Sequence, residues 1–467
     1  MRTWMIGAAM ALGLASGALA APPQVTTVPG TPTLSLAAYD LKSVGYVVEE
    51  YFLKGTAQGY RTVGEAGADG KWQAEPAETA PYATRIVVVR PIDPKKFNGT
   101  AAVEWLNVTG GLDIGPDWQF THRELMRSGY AWVGVSAQKV GVEGGPSMAG
   151  QSAGALKKAN PTRYGSLSHP GDTYAFDIYS QAGQVVRKGG VLGGVKPKRL
   201  LALGESQSAI FMTTYINAID PIAKVYDGYF VHSRFGGAPG VDASRVAPQQ
   251  AQPGIRFRPD RRVPVMTVLA ETDVTSPGGW WTAEQPDDAR LRVWQIAGAA
   301  HADVYMFQVA AVDSGLAPIE KLAPLWKPTQ MTIVGRMAKP INGAPQHHYV
   351  AQAALAGLDA WVRTGKAPPS AARLETTPAA TAGAPPSLAL DANGNARGGV
   401  RSPWADVPTA KLSGFGDWKN EGVTVGAGQI VALKASMAVG GVATTVDVTA
   451  GNPVIDPKRV TQSTNIS

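Results

Sequence analysis

The chain has 467 residues, of which 44% are hydrophobic and 17% charged, a composition typical of a globular protein rather than a disordered or fibrous one. Its formal net charge of +7 comes from dispersed lysines and arginines, so no basic stripe favours nucleic-acid binding. The absence of cysteine excludes disulfides, thiolate nucleophiles, cysteine-ligated zinc and a lipidated cysteine anchor.

The first 20 residues have the features of a cleaved secretory signal peptide. Arg2 precedes an apolar run from Trp4 to Leu19, which ends in the small-residue pattern Ala18-Leu19-Ala20. We expect cleavage after Ala20 and a secreted or periplasmic protein without a stable membrane anchor. The alternative is an uncleaved membrane anchor. The glycine and serine residues near the end of the apolar run make it less suited to span a membrane.

The predicted elements begin after an N-terminal arm at residues 21–44, which is rich in Pro, Thr and Ala and is expected to be irregular. Two β-rich runs at 46–53 and 83–90 are interpreted as an antiparallel pair. Short apolar runs then alternate with longer amphipathic segments, which indicates parallel βαβ units. The predicted strands are 101–106, 130–135, 199–203, 225–230, 263–269 and 291–296, and the predicted helices are 118–128, 173–188, 206–218 and 347–364.

This pattern predicts one α/β domain over residues 45–410, with a mostly parallel central sheet, flanking helices and cap-like insertions. Two insertions are candidates to cover a site: 235–262, which has no clear period, and 304–346, which is interpreted as a helical excursion. Residues 366–386 consist largely of Pro, Ala and Thr and predict a flexible connection. Residues 411–467 are rich in Gly and Val, which favours β-structure, and the sequence assigns them no role.

The segment Gly204-Glu205-Ser206-Gln207-Ser208 carries the strongest chemical signal. A buried strand leads into it and a helix follows it, which is the arrangement of a nucleophile elbow. The sharp turn requires small residues two positions before and after the serine, and Gly204 and Ser208 meet this requirement. We therefore predict Ser206 as a nucleophile; the alternative is a plain strand-to-helix turn that Ser206 caps.

A serine nucleophile requires a general base, and the chain has six histidines. His301 follows the last predicted strand in a loop of small residues, from which its imidazole can swing over the carboxyl edge of the sheet. We predict it as the base; a solvated loop histidine is the alternative. His169 and His232 stay open as weaker candidates. The remaining histidines fall in or beside predicted helices and are expected to be ordinary polar residues: His122, His347 and His348.

The third group should be a carboxylate at the end of the strand that precedes the histidine. The run 263–269 leads into Ala270 and then offers two acids, Glu271 and Asp273. We predict Asp273, because three residues beyond Ala270 it is past the sheet edge, and keep Glu271 as the alternative acid. The order of nucleophile, acid and base along the chain is that of α/β-hydrolases, not of chymotrypsin-like or subtilisin-like proteases.

Attack by a serine on a carbonyl builds an oxyanion, which needs N–H donors. The amide of Gln207, at the helix N-terminus, is the first predicted donor. The second is expected from the loop after the first parallel strand, where Thr109 is our first choice and Val108 and Gly110 are close behind. The alternative is that Gly110-Gly111 merely turns the chain.

The sequence resembles the α/β-hydrolase superfamily over about residues 45–365, and within it a group of exported bacterial α/β-hydrolase domain proteins. The resemblance implies a hydrolase, most often an esterase, with no cofactor. It rests on the motifs GESQSA (204–209), ETDV (271–274), AHAD (300–303), RYG (163–165) with HPGD (169–172), and GGVRSPW (398–404).

The expected partner is a small-molecule or polymeric ester, and neither a metal nor nucleic acid is expected. A serine peptidase or amidase would use the same triad, and a non-catalytic exported binding protein on the same scaffold is the non-enzymatic alternative. Five aromatic residues near the predicted sheet edge suggest an apolar acyl pocket or, equally well, a filled core: Trp105, Trp118, Trp280, Trp281 and Tyr305.

The segment Asp391-Ala392-Asn393-Gly394-Asn395 resembles the start of a calcium-binding loop. The glycine spacing and the terminal glutamate of such a loop are absent. We therefore predict a surface turn.

Overall fold

The computed structural model of the protein describes residues 22–147, 150, 151, 153–243, 254–327, 329–332, 335–336, 340–343, 346–379 and 381–406. The predicted signal peptide and the C-terminal segment 411–467 lie outside these residues. Within the described part of the chain, one sheet contains nine strands: β1 (Gln24–Val28), β2 (Tyr46–Val63), β3 (Gln73–Pro91), β4 (Thr100–Trp105), β5 (Ala131–Val135), β6 (Arg199–Glu205), β7 (Gly228–His232), β8 (Val265–Ala270) and β9 (Leu291–Ile296).

The strands lie in the order β1-β2-β3-β5-β4-β6-β7-β8-β9. β1, β2 and β3 pair antiparallel, β3 pairs antiparallel with β5, and the strands from β5 to β9 in this order run parallel. From β4 the chain passes to β5 on one side and later to β6 on the other, so the connections reverse direction between β4 and β6. Open α/β sheets bind ligands at such a reversal, outside the carboxyl ends of the strands.

Helices flank the sheet on both faces. The α-helices are α1 (Pro116–Arg127), α2 (Lys139–Glu143), α3 (Leu156–Ala159), α4 (Pro161–Tyr164), α5 (Ala175–Lys188), α6 (Gln207–Thr214), α7 (Asp220–Ala223), α8 (Glu271–Thr275), α9 (Ile319–Leu322), α10 (Gln346–Thr364) and α11 (Pro403–Asp406). Short 3₁₀ or π turns lie at Leu41–Val44, Pro94–Lys96, Asp172–Tyr174, Gly190–Leu192, Tyr215–Ile219, Trp280–Ala283, Tyr305–Val309 and Ala323–Trp326. None of the helices described is both long and apolar enough to cross a bilayer.

Side chains of the central strands alternate between two apolar layers. In β3, Ile86 and Val88 belong to the layer that includes α5 and α6, whereas Val87 and Val89 belong to the layer that includes α1 and α10. All four side chains are fully buried. This double coverage explains why the parallel strands read as near-continuous apolar runs.

The predicted α/β fold with a mostly parallel sheet is confirmed. The predicted antiparallel pair is also present, but β2 and β3 are much longer than the runs at 46–53 and 83–90. The outer half of β3 is mostly exposed or half-buried, and that of β2 buries only Ala57, Gly59 and Tyr60 and has an irregularity between Gln58 and Tyr60, so neither has the apolar pattern that predicts a strand.

The N-terminal arm at 21–44 is not wholly irregular, because Gln24–Val28 forms β1 and pairs with β2. Four of the five residues of β1 are exposed, so the strand is held by backbone hydrogen bonds and carries no apolar signal. The predicted helix at 206–218 is α6 followed by the π turn at Tyr215–Ile219.

The two C-terminal predictions also change. The described part of the excursion at 304–346 is only partly helical, since it contains a two-residue strand pair, Met331–Thr332 with Gly335–Arg336. Within 366–386, Leu374 is buried and its amide donates to Gln295 on β9, so this segment is docked along the sheet edge rather than a free connection. Two further short strand pairs are Pro146–Ser147 with Gly150–Gln151 and Thr376–Thr377 with Ser387–Leu388.

A buried ion network joins the antiparallel strands to the loop after β4. Arg85 on β3 donates to Glu50 on β2 (3.1 Å) and to Asp113 in that loop (3.0 Å), and the Arg85 and Glu50 side chains are fully buried. Glu50 also accepts hydrogen bonds from Arg163 and from the Tyr164 hydroxyl. The RYG motif therefore has a structural role, as a partner of this network.

We predict that Arg85→Met lowers the free energy of unfolding by about 3–5 kcal/mol, because it removes the arginine that pairs with the buried Asp113 and leaves the buried Glu50 paired with Arg163 alone. Urea unfolding of the variant and the wild type measures the difference. The matched control is Arg61→Met, which removes an exposed pair with Glu75 and should cost at most about 1 kcal/mol. Equal losses for the two variants would show that the Arg85 network contributes no more than a surface pair.

Candidate active site

Ser206 stands at the end of β6 and immediately before α6. Its backbone has φ 55° and ψ −118°, a left-handed conformation that a non-glycine residue rarely adopts. A Cβ atom at Gly204 would lie 3.1 Å from the Ser208 carbonyl oxygen, so the turn requires a small residue there. The strained turn presents the Ser206 side chain beyond the end of the strand, as predicted for a nucleophile elbow.

His301 lies in the loop after β9 and contacts Ser206. The distance from His301 Nε2 to Ser206 Oγ is 2.8 Å, and that from His301 Nδ1 to Asp273 Oδ1 is 2.6 Å. A carboxylate only accepts, so Nδ1 carries the proton and Nε2 is left to accept the serine proton. The His301 side chain is 29% exposed, which leaves this edge open to a substrate.

Asp273 and Glu271 both lie on α8, directly after β8, but they face different groups. Asp273 is fully buried, and its Oδ2 accepts from the Ala270 amide at 2.6 Å. Glu271 instead accepts from the Gly298 amide at 2.5 Å, at the start of the loop that carries His301. The structure therefore brings Asp273 to the imidazole and leaves Glu271 as a support of the loop backbone.

The neighbouring charges shift the pKa values of His301 and Asp273. Burial alone would lower the pKa of His301, but the charge and hydrogen bond of Asp273, together with the charge of Glu205, raise it to about 9. Burial opposes ionisation of Asp273, yet the charge and hydrogen bond of His301 hold the pKa of that carboxyl below its usual value. Asp273 is therefore ionised across the neutral range and favours a positive charge on the imidazole.

The candidate oxyanion donors differ in how far their amides are already hydrogen-bonded. Gln207 is the first residue of α6, where an N–H group has no partner within the helix. The Thr109 amide donates to Asn107 Oδ1 at 2.8 Å and so already has a partner. The Val108 amide makes only a long contact of 3.5 Å, to Gln207 Oε1. The first choice of Thr109 is therefore replaced by Val108, since Val108 faces the elbow with the less committed amide.

A family model described as "alpha/beta hydrolase domain" matches residues 19–438. The chain belongs to this family. The match confirms the resemblance to the superfamily and covers more of the chain than the predicted domain at 45–410.

The chain also matches solved structures of esterases at low similarity. An esterase from Rhizomucor miehei is 11% identical, with a TM-score of 0.33 and coverage of 67% of this chain and 85% of that one. Carboxyl esterase 2 from Tuber melanosporum is 12% identical, with a TM-score of 0.31 and coverage of 65% and 88%. A Pyrobaculum calidifontis esterase is 16% identical, with a TM-score of 0.31 and coverage of 52% and 79%. A comparison with curated proteins found no match.

Two other histidines of this α/β-hydrolase form a buried chain beneath the site. Asp117 Oδ1 lies 2.8 Å from His232 Nδ1, and His232 Nε2 lies 2.8 Å from His347 Nε2. Burial lowers the pKa of each histidine to about 3, so both are neutral. The His232 carbonyl also accepts from the Ser206 amide at 3.0 Å. His232 therefore supports the elbow from below and does not line an open pocket.

The other histidines are buried as well. His122 is in α1, and its Nε2 bonds the Asp313 carbonyl at 2.7 Å. His348 stacks on Tyr305 with ring centroids 3.6 Å apart. His169 Nε2 donates to the Ala137 carbonyl at 2.9 Å. The helical histidines, predicted as ordinary polar residues, are buried core groups.

Of the two alternatives for the five aromatic residues, the filled core holds for four. Trp105, Trp118, Trp280 and Tyr305 are no more than 1% exposed, and Trp281 donates to the Ser276 carbonyl. The aromatic ring that reaches the site is Phe235, whose centroid lies 5.2 Å from that of His301. Phe235 was not predicted, although its place three residues after the end of β7, at the carboxyl edge of the sheet, was a usable signal.

The weaker motifs have structural roles. Asp391 Oδ1 accepts from the amides of Asn393 and Asn395, as in the predicted surface turn, and Arg401 pairs with its other oxygen. The same Arg401 belongs to the GGVRSPW motif, in which Val400 pairs with Ile296 at the end of β9. This motif therefore braces the strand that leads to His301. No group of three or more His, Asp or Glu side chains suited to a metal ion occurs among the described residues.

Proposed function

We propose that this α/β-hydrolase hydrolyses carboxylic esters, with Ser206 as nucleophile, His301 as general base and Asp273 as the acid that orients it. The proposal rests on one observation: a continuous hydrogen-bond chain runs from Ser206 Oγ through both imidazole nitrogens to Asp273. A serine hydroxyl is a weak nucleophile unless an adjacent base removes its proton, and this chain supplies that base.

In the proposed acylation step, His301 Nε2 takes the proton of Ser206 Oγ as that oxygen bonds the ester carbonyl carbon. The amides of Gln207 and Val108 are the proposed donors to the oxyanion. The tetrahedral intermediate collapses, the bond to the alcohol oxygen breaks, and His301 returns the proton to that oxygen. An acyl group remains on Ser206.

In the proposed deacylation step, a water molecule gives a proton to His301 and attacks the acyl carbon. Collapse breaks the bond to Ser206 Oγ, which recovers the proton from His301, and a carboxylic acid leaves. Throughout, the Asp273 carboxylate stabilises the imidazolium and stays ionised.

We propose that this site hydrolyses esters faster than amides. A leaving amine nitrogen depends on a proton from the imidazolium, whereas a leaving alcohol oxygen depends on it less. Since the pKa of His301 is raised to about 9, its imidazolium is a weaker acid than an unperturbed one.

We also propose that the protein is exported, on the basis of the N-terminal sequence. An intact mass of the mature protein that corresponds to a chain beginning at Ala21 would test this cleavage.

We predict that a fluorophosphonate probe labels the wild type and that Ser206→Ala abolishes both labelling and turnover of p-nitrophenyl esters, because the nucleophilic oxygen is gone. The matched control is Ser208→Ala, which removes a buried hydroxyl from the same motif and should still be labelled. Labelling that survives Ser206→Ala would contradict the assignment. The matching p-nitroanilides should react more slowly than the esters.

The orienting acid is tested by a pair of isosteric variants. Asp273→Asn should lower kcat by a factor on the order of 10⁴, because an amide no longer holds the imidazole in the reactive tautomer. Glu271→Gln should cost far less, since its oxygen can still accept from Gly298. Steady-state kinetics of the two folded variants measures both effects, and the reverse ranking would move the acid to Glu271.

The pH dependence follows from the base. Below its pKa, His301 is protonated and cannot accept the serine proton, so kcat/KM should rise as pH increases. Because the pKa of His301 is raised to about 9, the ascending limb should lie well above pH 6.5. Measuring kcat/KM for ester hydrolysis from about pH 6 to about pH 10 locates the pH at which it rises. A limb centred near 6.5, or a rate that collapses with EDTA, would contradict this mechanism.

A further inference from the structure

Glu205 is a second carboxylic acid within reach of the His301 imidazole. Its Oε1 lies 3.6 Å from His301 Nε2, the nitrogen that contacts Ser206. The side chain of Glu205 is 3% exposed, so solvent screens the interaction little. This acid approaches the imidazole on the side opposite to Asp273, which bonds Nδ1.

Few groups around Glu205 favour its ionised form. Among the described residues, the Glu205 carboxyl accepts one hydrogen bond, a long one of 3.3 Å from Asn107 Nδ2 to Oε2, while the same amide bonds the Glu205 carbonyl at 3.1 Å. Burial raises the pKa of Glu205 to about 8, with the charges of Asp117 and Asp273 acting in the same direction and that of His301 opposing them. Among these three groups, His301 is the one whose positive charge favours the ionised form of Glu205.

The imidazole is likewise surrounded by a small set of titratable groups. Asp273 and Glu205 raise its pKa through their charges. The neutral histidines His232 and His347 lie close enough for the charge of His301 to lower their pKa values. The positive charge that forms on His301 during attack therefore has two acidic neighbours, one at each nitrogen.

We propose that Glu205 is a positioning residue that stabilises the His301 imidazolium from the Nε2 side, complementing Asp273 on the Nδ1 side. The inference rests on the proposed role of His301 as the base. When His301 takes the proton of Ser206, the new N–H lies beside an acid that is nearly removed from water, where charges attract more strongly than in solvent. The cost is that the free base holds its proton to higher pH.

Glu205→Gln tests this inference, because it keeps the size of the side chain and the contact with Asn107 while removing the charge. The acid limb of kcat/KM should move to lower pH by about 1–3 units, since a carboxylate at this range raises a neighbouring pKa by that amount. The plateau of kcat/KM at high pH should fall, because the imidazolium formed during attack loses a counter-charge.

Two further variants make the result specific. Glu205→Asp keeps the charge but moves it one methylene farther from His301. The acid limb of kcat/KM should therefore move to lower pH by a smaller amount than in Glu205→Gln. Glu271→Gln removes an acid that holds the backbone of the His301 loop without facing the imidazole, so its limb should stay with that of the wild type. If Glu205→Gln does not fold, the Asp variant still gives the direction.

The outcomes separate the two proposals. A limb that stays in place in both Glu205 variants, while Ser206→Ala is inactive, would overturn the role of Glu205 and leave the proposed function intact. A downward shift confined to the Glu205 variants supports it, and an equal shift in Glu271→Gln would overturn it. Turnover that survives in Ser206→Ala would overturn the proposed function and, with it, the inference.

Discussion

The hydrogen bond between His301 Nδ1 and the buried Asp273 fixes the chemistry of the whole site. Asp273 has no exposed surface, and its other oxygen is held by the Ala270 amide, so the carboxylate cannot turn away from the imidazole. Because it only accepts, the imidazole proton stays on Nδ1 and the lone pair of Nε2 points to Ser206. A water-exposed acid would leave the tautomer and the ring orientation undetermined.

The backbone makes this hydrogen bond possible. In a parallel sheet the carboxyl ends of β6, β8 and β9 meet at one edge, so three loops remote in sequence deliver Ser206, Asp273 and His301 to one place. The base loop is then held by side chains of α8: Thr272 Oγ1 accepts from the His301 amide at 2.8 Å, and Glu271 holds Gly298. The same helix therefore supplies the acid and braces the loop of the base.

Much of this arrangement was predictable because local patterns determine it. The apolar runs of the buried strands set the fold class, and the positions of Ser206, Asp273 and His301 after three of the parallel strands gave the order of the proposed triad. The choice between Asp273 and Glu271 also followed from loop position, since three residues beyond Ala270 is where the side chain clears the sheet.

Contacts between distant residues were not predictable in the same way. Thr109 and Val108 are adjacent in one loop, and only the fold shows that Asn107 bonds the first amide. The buried pair His232 and His347 comes from a strand and a helix 115 residues apart, and no sequence period marks it. β1 was not predicted, because backbone hydrogen bonds to β2 and not an apolar pattern stabilise it.

The central claim is that turnover passes through a covalent acyl group on Ser206. Rapid mixing with a p-nitrophenyl ester, followed by acid quenching and peptide mass analysis, measures it directly. We expect a burst of about one p-nitrophenol per enzyme when acylation is faster than deacylation, with the acyl mass on the peptide that contains Ser206. An acyl mass on another residue, or turnover with no acyl-enzyme at any quench time for a slowly deacylating ester, would contradict it.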